Sequence, residues 1–383
     1  MKYEIMDTSD GAVIKVSGVG GGGGNAVDHM VESHIDGVQF ICANTDQQAL
    51  HKLKVETKIQ LGVELTKGLG AGTKPEIGRK AAEENIEHIK EVIEGADMVF
   101  LTAGMGGGTG TGAIAVIAEV ARELGVLTVA VVTKPFDFEG QKKKRVAEEG
   151  IKELENHVDS LIIIPNQKLL PVLGNNLTLV NAFKAANDVL LDAVQGITEL
   201  ITHPGLINVD FADVQTIMSN MGTAIMGSGT ATGENRAREA AEKAIACPLL
   251  EDINLEGAKG ILVNITAAEM DLTEFDEIGS IMHAFASEDA DMKIGTAINP
   301  DMGDEIKVTV VATGMGDHSM AKAPVTLHSR DTSVMPDYAS LATPTVMRQK
   351  GGEKAKRFGA QPKNSPDSLD YLDVPAFLRR QAD

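Results

Sequence analysis

Short apolar runs alternate with stretches of helical periodicity through the first half of the chain. The runs at 98–101 and 127–132 are almost entirely apolar, which is typical of strands buried on both faces of a sheet. Further strands are predicted at 12–16, 38–43 and 160–166. Because strands that alternate with helices form parallel sheets, the pattern predicts an α/β fold with a Rossmann-like parallel sheet and ligands at the carboxyl ends of its strands.

The second half opens with one long helix, predicted at 177–201 and ended by Pro204-Gly205. A second, smaller α/β domain follows it. Its predicted elements are a helix at 234–246 and strands at 224–226, 261–265, 297–298 and 306–311. The predicted divisions are a first domain at 1–176, a central helix at 177–203, a second domain at 204–316, a linker at 317–369 and a tail at 370–383.

The residue composition changes in the last part of the chain. Residues 317–370 hold five prolines and no sustained hydrophobic period, which predicts a disordered linker. Apolar residues return in the tail at Val374, Phe377 and Leu378, spaced for one face of a helix. The tail is therefore either a docking peptide for a partner or a stretch with chance apolar residues.

Six glycines lie within the nine residues 104–112, between a predicted buried strand and a predicted helix. Glycine has no Cβ, so another group can approach such a backbone closely. The loop would aim free N–H groups and the positive end of the helix dipole at one point, where Thr109 and Thr111 add hydroxyl donors. A flexible linker is the alternative, but linkers are not usually held between a strand and a helix. We predict a phosphate site here.

Two further glycine loops are predicted at the same edge of the sheet. Gly18, Gly20 and Gly23 match G-x-G-x-x-G, which leaves a dinucleotide fingerprint, a mononucleotide phosphate loop and a plain tight turn all open. A third loop, 68–73, precedes a helix opened by Pro75. Three loops that converge on one edge indicate a nucleotide site more strongly than any one of them.

Asp46 follows the predicted strand at 38–43 and has three possible roles. An acidic residue at this place holds a ribose in Rossmann folds. In a metal–nucleotide site it reaches Mg²⁺, usually through water. It is also well placed to be the N-cap of the next helix.

The composition excludes several classes of function. A net charge of −20 and an aromatic content of 3% argue against a nucleic-acid partner, which needs clustered cations or stacking platforms. The two cysteines, Cys42 and Cys247, form no disulfide framework, and the histidines lack the spacing of a zinc site. With no signal peptide or membrane-spanning stretch recognised, we expect a cytoplasmic protein.

Several motifs in this order resemble the tubulin/FtsZ family of GTPases. Residues 106–112 look like the signature loop of tubulins. The resemblance covers the whole chain and is weakest in the linker. The other matching stretches are 20–26, 44–46, 208–213 and 370–380.

The resemblance implies a GTPase that binds GTP and GDP with Mg²⁺ and polymerises head to tail into protofilaments. Such filaments form the division ring at mid-cell in the cytoplasm. Membrane tethers and regulators such as FtsA and ZipA would bind residues 370–383, with no direct insertion into the membrane. The nucleotide contacts implied are Gly21, Gly22, Gly23, Gly24, Asn25, Ala71, Gly72, Thr73, Gly104, Gly107, Gly108, Thr109, Gly110, Glu139, Lys143, Asn166, Phe183 and Asn187.

Some of these contacts also make physical sense by themselves. Phe183 can stack on a purine, although without the family it reads as core packing, and a side-chain oxygen of Asn187 can accept from guanine. Lys143 stands where the family usually has Arg, and Arg145 lies two residues further on. Since Lys lacks the bidentate fork of Arg, this contact is expected to be weaker or shifted.

The catalytic residues that the resemblance implies are Asp210 and Asp213, with Asn208 in the same loop. By position alone, Asp210 is predicted to be a helix N-cap. The resemblance instead has this loop enter the nucleotide pocket of the next subunit, where the two carboxylates orient the attacking water. The active site would then be completed between subunits.

Neither glycine loop contains the lysine of a Walker A motif, so N–H groups, helix dipoles and Mg²⁺ would have to neutralise the phosphate charge. Two other functions compete with the GTPase. The match at Gly18, Gly20 and Gly23 suggests an NAD-dependent oxidoreductase, but no obvious catalytic His or Lys set accompanies it. A non-enzymatic GTP-binding scaffold differs only in whether Asp210 and Asp213 act on water.

Overall fold

Ten strands of the described chain form one continuous sheet. The computed structural model describes residues 11–171, 178–203, 205–219, 222–250, 258–286 and 290–315, so the predicted linker and docking peptide lie outside the described residues. The strands are β1 (Ile14–Val19), β2 (Val38–Asn44), β3 (Thr57–Gln60), β4 (Met98–Gly104), β5 (Leu127–Lys134), β6 (Ser160–Pro165), β7 (Thr223–Thr232), β8 (Gly260–Ala267), β9 (Asp291–Ile298) and β10 (Glu305–Met315).

The strands lie in the order β3-β2-β1-β4-β5-β6-β7-β10-β8-β9. Strands β1 to β6 are all parallel, and their order is that of a Rossmann sheet. Strand β7 continues parallel beside β6, whereas β10 runs antiparallel to both β7 and β8. The predicted Rossmann-like parallel sheet is confirmed, and the second half extends it with a mixed portion.

Eleven α-helices of the described residues cover this sheet. Most connect successive strands, as parallel pairing requires. They are α1 (Gly20–Glu32), α2 (Gln47–Lys52), α3 (Val63–Thr66), α4 (Pro75–Glu83), α5 (Ile86–Ile93), α6 (Thr109–Glu123), α7 (Gln141–Glu155), α8 (Leu179–Thr202), α9 (Phe211–Met218), α10 (Arg236–Ile245) and α11 (Leu272–Phe285). None of these helices is long and apolar enough to cross a membrane.

The long predicted helix is α8, and it joins the two halves of the molecule. It contacts α1 and β5 on one side and β8, β9 and β10 on the other. Polar contacts secure the second half to it: Lys307 donates to Asp192 at 2.5 Å, and the Thr266 hydroxyl donates to Glu199 at 2.8 Å. The apolar face that α8 buries includes Ala186, Leu190, Ala193, Val194, Ile197 and Leu200.

Several elements differ from the sequence prediction: α3 was not predicted, and β9 begins six residues before its predicted start. Three further differences have identifiable reasons. Strand β3 was missed because it has only four residues, of which Ile59 alone is buried. Helix α11 was missed because its fully buried side is narrow. Strand β7 runs six residues beyond its predicted end because it pairs with β10 as far as Thr232. Its Gly227 and Gly229 let α10 lie close, since a Cβ there would meet the carbonyl oxygens of Ala244 and Ala240 at 2.1 and 2.3 Å.

Candidate functional site

Two glycine loops meet where the strand order reverses. Strands β1 and β4 are neighbours in the sheet, and each leads directly through glycines into a helix, α1 or α6. The crevice at such a switch point is where ligands bind in open α/β sheets. Backbone packing explains the glycines of the first loop: a Cβ on Gly18 would lie 2.4 Å from the Gly23 oxygen, and Gly20 adopts φ +74°.

The third loop joins the other two. The Gly108 N–H donates to the Gly72 oxygen at 2.9 Å, and a Cβ on Gly22 would lie 3.2 Å from Gly104. We call these backbone segments, residues 20–22, 71–73 and 104–110, the phosphate cradle. The convergence of three glycine loops on one edge, predicted from the sequence, is therefore found in the structure.

The helix N-termini in the cradle keep free donors. No side chain caps α1 after Val19 or α6 after Gly108, and neither helix has an acidic residue in its first turn. By contrast, aspartates cap α2 and α9. The first N–H groups of an uncapped helix have no partner within the helix and, with the positive dipole end, favour an anion. The cradle can therefore hold phosphate without a lysine.

One pocket extends from the cradle to the face of α8. The predicted nucleotide contacts that line it are Gly21, Gly22, Gly72, Gly104, Gly107, Gly108, Thr109, Gly110, Glu139, Lys143, Asn166, Phe183 and Asn187. Cβ atoms on Gly21 and Gly107 would meet no protein atom within 4 Å, so both positions border open space. The backbone there is free to approach a ligand.

The remaining predicted contacts lie beside the pocket rather than in its wall. Gly23 and Gly24 are buried under the sheet edge, where a Cβ would meet the Thr102 oxygen at 2.2 Å and Leu53 at 3.0 Å. Asn25 and Thr73 are exposed, and Ala71 is buried beneath Gly108. Thr111, expected to add a hydroxyl donor, instead accepts from the Gly106 N–H at 2.8 Å and so braces the loop from inside.

Aromatic rings and amides form the far end of the pocket. Phe183 is 42% exposed and meets the buried Phe136 edge to face, with ring centroids 5.5 Å apart. Phe136 in turn stacks on Phe138. This packing holds the Phe183 ring in place and leaves room for a planar partner. The Asn166 side chain is buried, and its Oδ1 has no hydrogen-bond partner among the described residues.

An unpaired buried acceptor is unfavourable unless a ligand supplies a donor. Asn166 therefore fits a ring N–H or amino group, and Asn187 lines the same pocket. Guanine offers both donors on one edge. Packed aromatic rings and an unpaired acceptor at one end of the pocket, with uncapped helices at the other, thus fit a guanine nucleotide.

Glu139 and Lys143 form a pair at the side of the pocket. Glu139 accepts from the Phe136 N–H at 2.9 Å and from Lys143 at 2.5 Å. The stem of Lys143 passes Gly106, where a Cβ would clash with it at 2.6 Å. The Lys143 ammonium is thereby directed to Glu139, which is consistent with the shifted contact that the loss of Arg predicts.

Five pocket residues were not assigned from the sequence. Thr133 lies near the end of β5 and Pro135 directly follows it, and this position at the carboxyl end of a parallel strand was the available signal. Ala186 and Leu190 lie one and two turns beyond Phe183 on α8 and were read as core. The full set missed is Met105, Thr133, Pro135, Ala186 and Leu190.

Asp46 is the N-cap of α2. Its Oδ1 accepts from the N–H groups of Gln48 and Ala49 at 2.9 and 3.0 Å. The preceding Thr45 hydroxyl lies 2.6 Å from that of Thr109 in the cradle, so Asp46 stands next to the phosphate end. Within the described ranges, no cluster of three or more His, Cys, Asp or Glu side chains is arranged to hold a metal ion.

The predicted catalytic residues lie elsewhere, on what we call the acidic loop, residues 205–213. Asp210 caps α9 by accepting from the Asp213 N–H at 2.8 Å. Asp213 forms an ion pair with Lys293 at 3.0 Å, and Asn208 is exposed. No residue of this loop is among those that line the described pocket. Within one chain the structure does not bring the carboxylates to the nucleotide pocket.

The sheet order and the cradle define a nucleotide-binding α/β protein. A family model described as Tubulin/FtsZ family, GTPase domain, matches residues 13–174, and one described as FtsZ family, C-terminal domain, matches residues 222–316. These matches cover more than half of the chain, which therefore belongs to the FtsZ branch of the tubulin/FtsZ family of GTPases.

The sequence is also similar to those of known FtsZ proteins over its full length. The chain is 60% identical to Cell division protein FtsZ of Coxiella burnetii, covering 99% of both chains, and 56% identical to that of Pseudomonas aeruginosa, covering 100% of both. A solved FtsZ dimer from M. jannaschii is 42% identical with a TM-score of 0.77, over 81% of this chain and 90% of that one. The protein is a GTPase, so the oxidoreductase and non-enzymatic scaffold alternatives do not hold.

Proposed function

We propose that GTP binds with its phosphates in the cradle and its guanine between Phe183, Asn166 and Asn187. N–H groups of the uncapped α1 and α6 donate to the phosphates, Glu139 contacts the ribose, and the aromatic packing behind Phe183 holds the ring that stacks on the base. Gly23, Gly24 and Asn25 support the first loop, and Ala71 and Thr73 support the γ-phosphate end.

Mg²⁺ would supply charge neutralisation to the phosphates in place of a lysine. Asp46 is the protein residue that we propose to reach it, through water. Its Oδ1 is taken by two backbone N–H groups, and its neighbour Thr45 contacts Thr109 in the cradle. An N-cap and an outer-sphere role are compatible, because a carboxylate has several lone pairs.

We further propose that hydrolysis requires two subunits in head-to-tail contact. One observation supports this most directly: within one chain, the acidic loop with Asn208, Asp210 and Asp213 contributes no residue to the lining of the nucleotide pocket. In a head-to-tail pair the loop of one subunit would close the pocket of the next, where the two carboxylates orient water and accept its proton. Since such an interface is heterologous, repetition gives a filament.

The setting of this filament is also proposed. Domains at 1–176 and 204–316 on either side of the helix at 177–203 would form the polymerising unit, and 317–369 would act as a linker. Residues 370–383 would dock tethers such as FtsA and ZipA and so hold the filament at the mid-cell ring in the cytoplasm. The relatives' printed name, Cell division protein FtsZ, supports this placement.

GTP turnover measured against protein concentration, with Mg²⁺ present, tests the proposal. Turnover per molecule near zero below a threshold and rising above it is the result expected when two subunits complete the site. Turnover per molecule that stays flat down to high dilution would mean that each chain hydrolyses GTP alone. Removal of Mg²⁺ by a chelator should abolish the turnover above the threshold.

A further inference from the structure

The acidic loop is attached to the edge strand β9. Ile207 donates its N–H to the Thr296 hydroxyl at 3.0 Å, and Thr296 donates its own N–H back to the Ile207 oxygen at 3.0 Å. A Cβ on Gly205 would lie 2.1 Å from the Thr296 oxygen, so the loop begins in direct contact with this strand. Strand β9 is therefore the base that positions the loop.

One face of β9 is shaped to receive the loop. A Cβ on Gly295 would meet Leu200 at 2.5 Å and Val209 at 2.7 Å, which means that only glycine lets the helix end and the loop close down here. Because side chains alternate along a strand, Lys293 lies on the same face as Gly295. The sequence of β9 thus places one cation beneath the start of α9.

Lys293 meets Asp213 there. Its Nζ lies 3.0 Å from the Asp213 carboxylate, and each side chain is about one-third exposed, at 37% and 36%. The hydrogen bond to Asp213, with the charges of Asp213, Asp291 and Asp210, raises the pKa of Lys293, so this lysine is cationic at neutral pH. Since the Asp213 N–H is already held by Asp210 at 2.8 Å, both the backbone and the carboxylate of Asp213 are fixed.

We propose that Lys293 is a positioning residue for GTP hydrolysis, holding the Asp213 carboxylate in the orientation that it presents to the neighbouring subunit's nucleotide. This inference rests on the proposed catalytic role of Asp213.

Exchange of Lys293 for glutamine tests the proposal in the full-length protein. Above the assembly threshold, K293Q should lower kcat up to about fivefold, the range for loss of an exposed ion pair, and leave KM for GTP unchanged. K293R should restore most of kcat. The control K243Q removes another surface lysine, which is 55% exposed and pairs with Glu239 on α10, and it should behave as the wild type.

A double-mutant cycle separates this inference from the proposed function. Asp213→Asn should abolish most turnover, and adding K293Q to it should cause no further loss, because the carboxylate that Lys293 positions is then absent. An unchanged kcat in K293Q, a loss that K293R does not restore, or an equal loss in the Asp213→Asn background would overturn the positioning role. Near-normal turnover of Asp213→Asn itself would instead overturn the proposed function.

Discussion

The phosphate cradle and the acidic loop are held in place by opposite means. The cradle is backbone packed on backbone: glycines of three loops touch one another, and its donors are the N–H groups of α1 and α6. The acidic loop depends more on side chains, which form the Asp210 cap, the Asp213–Lys293 pair, the bond of the Thr296 hydroxyl to Ile207 and the packing of Val209 on Gly295. The cradle forms part of a lined pocket, whereas the acidic loop carries carboxylates at the surface of the molecule.

The difference gives a physical reason for the two-subunit site that we propose. A backbone cradle can bind phosphate with no charged side chain, and the nearby Asp46 carboxylate accepts from two backbone N–H groups of α2. Carboxylates placed permanently beside a triphosphate would repel it. Under our proposal the carboxylates of the acidic loop would oppose nucleotide binding only after a neighbour has docked.

The largest expected effect comes from mixing two inactive variants. Gly107→Val fills open space in the pocket and should weaken GTP binding about 100-fold. Asp213→Ala should bind GTP but turn it over about 100-fold more slowly. An equimolar mixture should regain roughly a quarter of wild-type turnover, because one head-to-tail interface in four then pairs an intact pocket with an intact loop. Phosphate release measures this.

The control for this mixture is Gly107→Val combined with the double variant that carries both substitutions. That mixture contains intact loops but no intact pocket, and it should stay inactive. If the first mixture also stays inactive while both proteins co-assemble, the pocket and the loop must act within one chain.

Loss of the Arg236 hydrogen bonds near the acidic loop should have the next largest effect, on the stability of the fold. Arg236 donates to both Glu274 oxygens and to the Glu269 carbonyl, and Glu269 lines the same cavity as Leu206 of the loop. Arg236→Met should lower the free energy of unfolding by about 1–3 kcal/mol. The exposed Arg238, exchanged in the same way, should change it by less than about 1 kcal/mol.

This loss should depend on pH with a defined sign. The hydrogen bond from Arg236 lowers the pKa of Glu274 below its usual 4.5. A depressed carboxyl pKa adds stability above the unfolded-state value, and this contribution disappears as the pH falls through the folded-state value. In denaturant unfolding, the difference in free energy of unfolding between wild type and Arg236→Met should therefore be large at neutral pH and should decrease below pH 4.5. A difference in free energy of unfolding that does not change with pH would contradict a stabilising Arg236–Glu274 pair.

The cradle was far easier to predict from the sequence than the acidic loop. Glycine runs after apolar strands specify a backbone arrangement locally, so the places of Gly107, Gly108 and Gly22 could be expected. The loop depends on partners distant in sequence. Nothing near Asp213 in the sequence predicts its pairing with Lys293, because the two residues are 80 positions apart and meet only in the folded chain.

The base end of the pocket lies between these extremes. Phe183 was expected only through the family, since its helical spacing alone reads as core. Its orientation depends on Phe136, which follows β5 and meets α8 only in the folded chain. The same holds for the orphan oxygen of Asn166: the residue can be named from the sequence, but its lack of a partner is a tertiary property.

Asn166→Ala tests that orphan oxygen. Removal of the acceptor should weaken GTP binding about tenfold, the value of one hydrogen bond to the base, and should reduce discrimination against nucleotides without the guanine donors. Ser160→Ala is the matched control, because Ser160 also carries a buried oxygen without a partner among the described residues but does not line the pocket. Equal affinities of wild type and Asn166→Ala, measured by titration calorimetry, would remove Asn166 from the base site.

The smallest effect is expected at Lys143, and its size bears directly on the comparison. Lys143 is the only lysine among the described residues that line the nucleotide pocket. If backbone N–H groups bind the phosphates, Lys143→Met should weaken GTP binding by no more than about fivefold. The control is Lys144→Met, since Lys144 pairs with Asp137 outside that pocket. A loss of affinity in Lys143→Met as large as that in Gly107→Val would mean that a side-chain cation holds the phosphates. The contrast between a backbone-built cradle and a side-chain-built loop would then be lost.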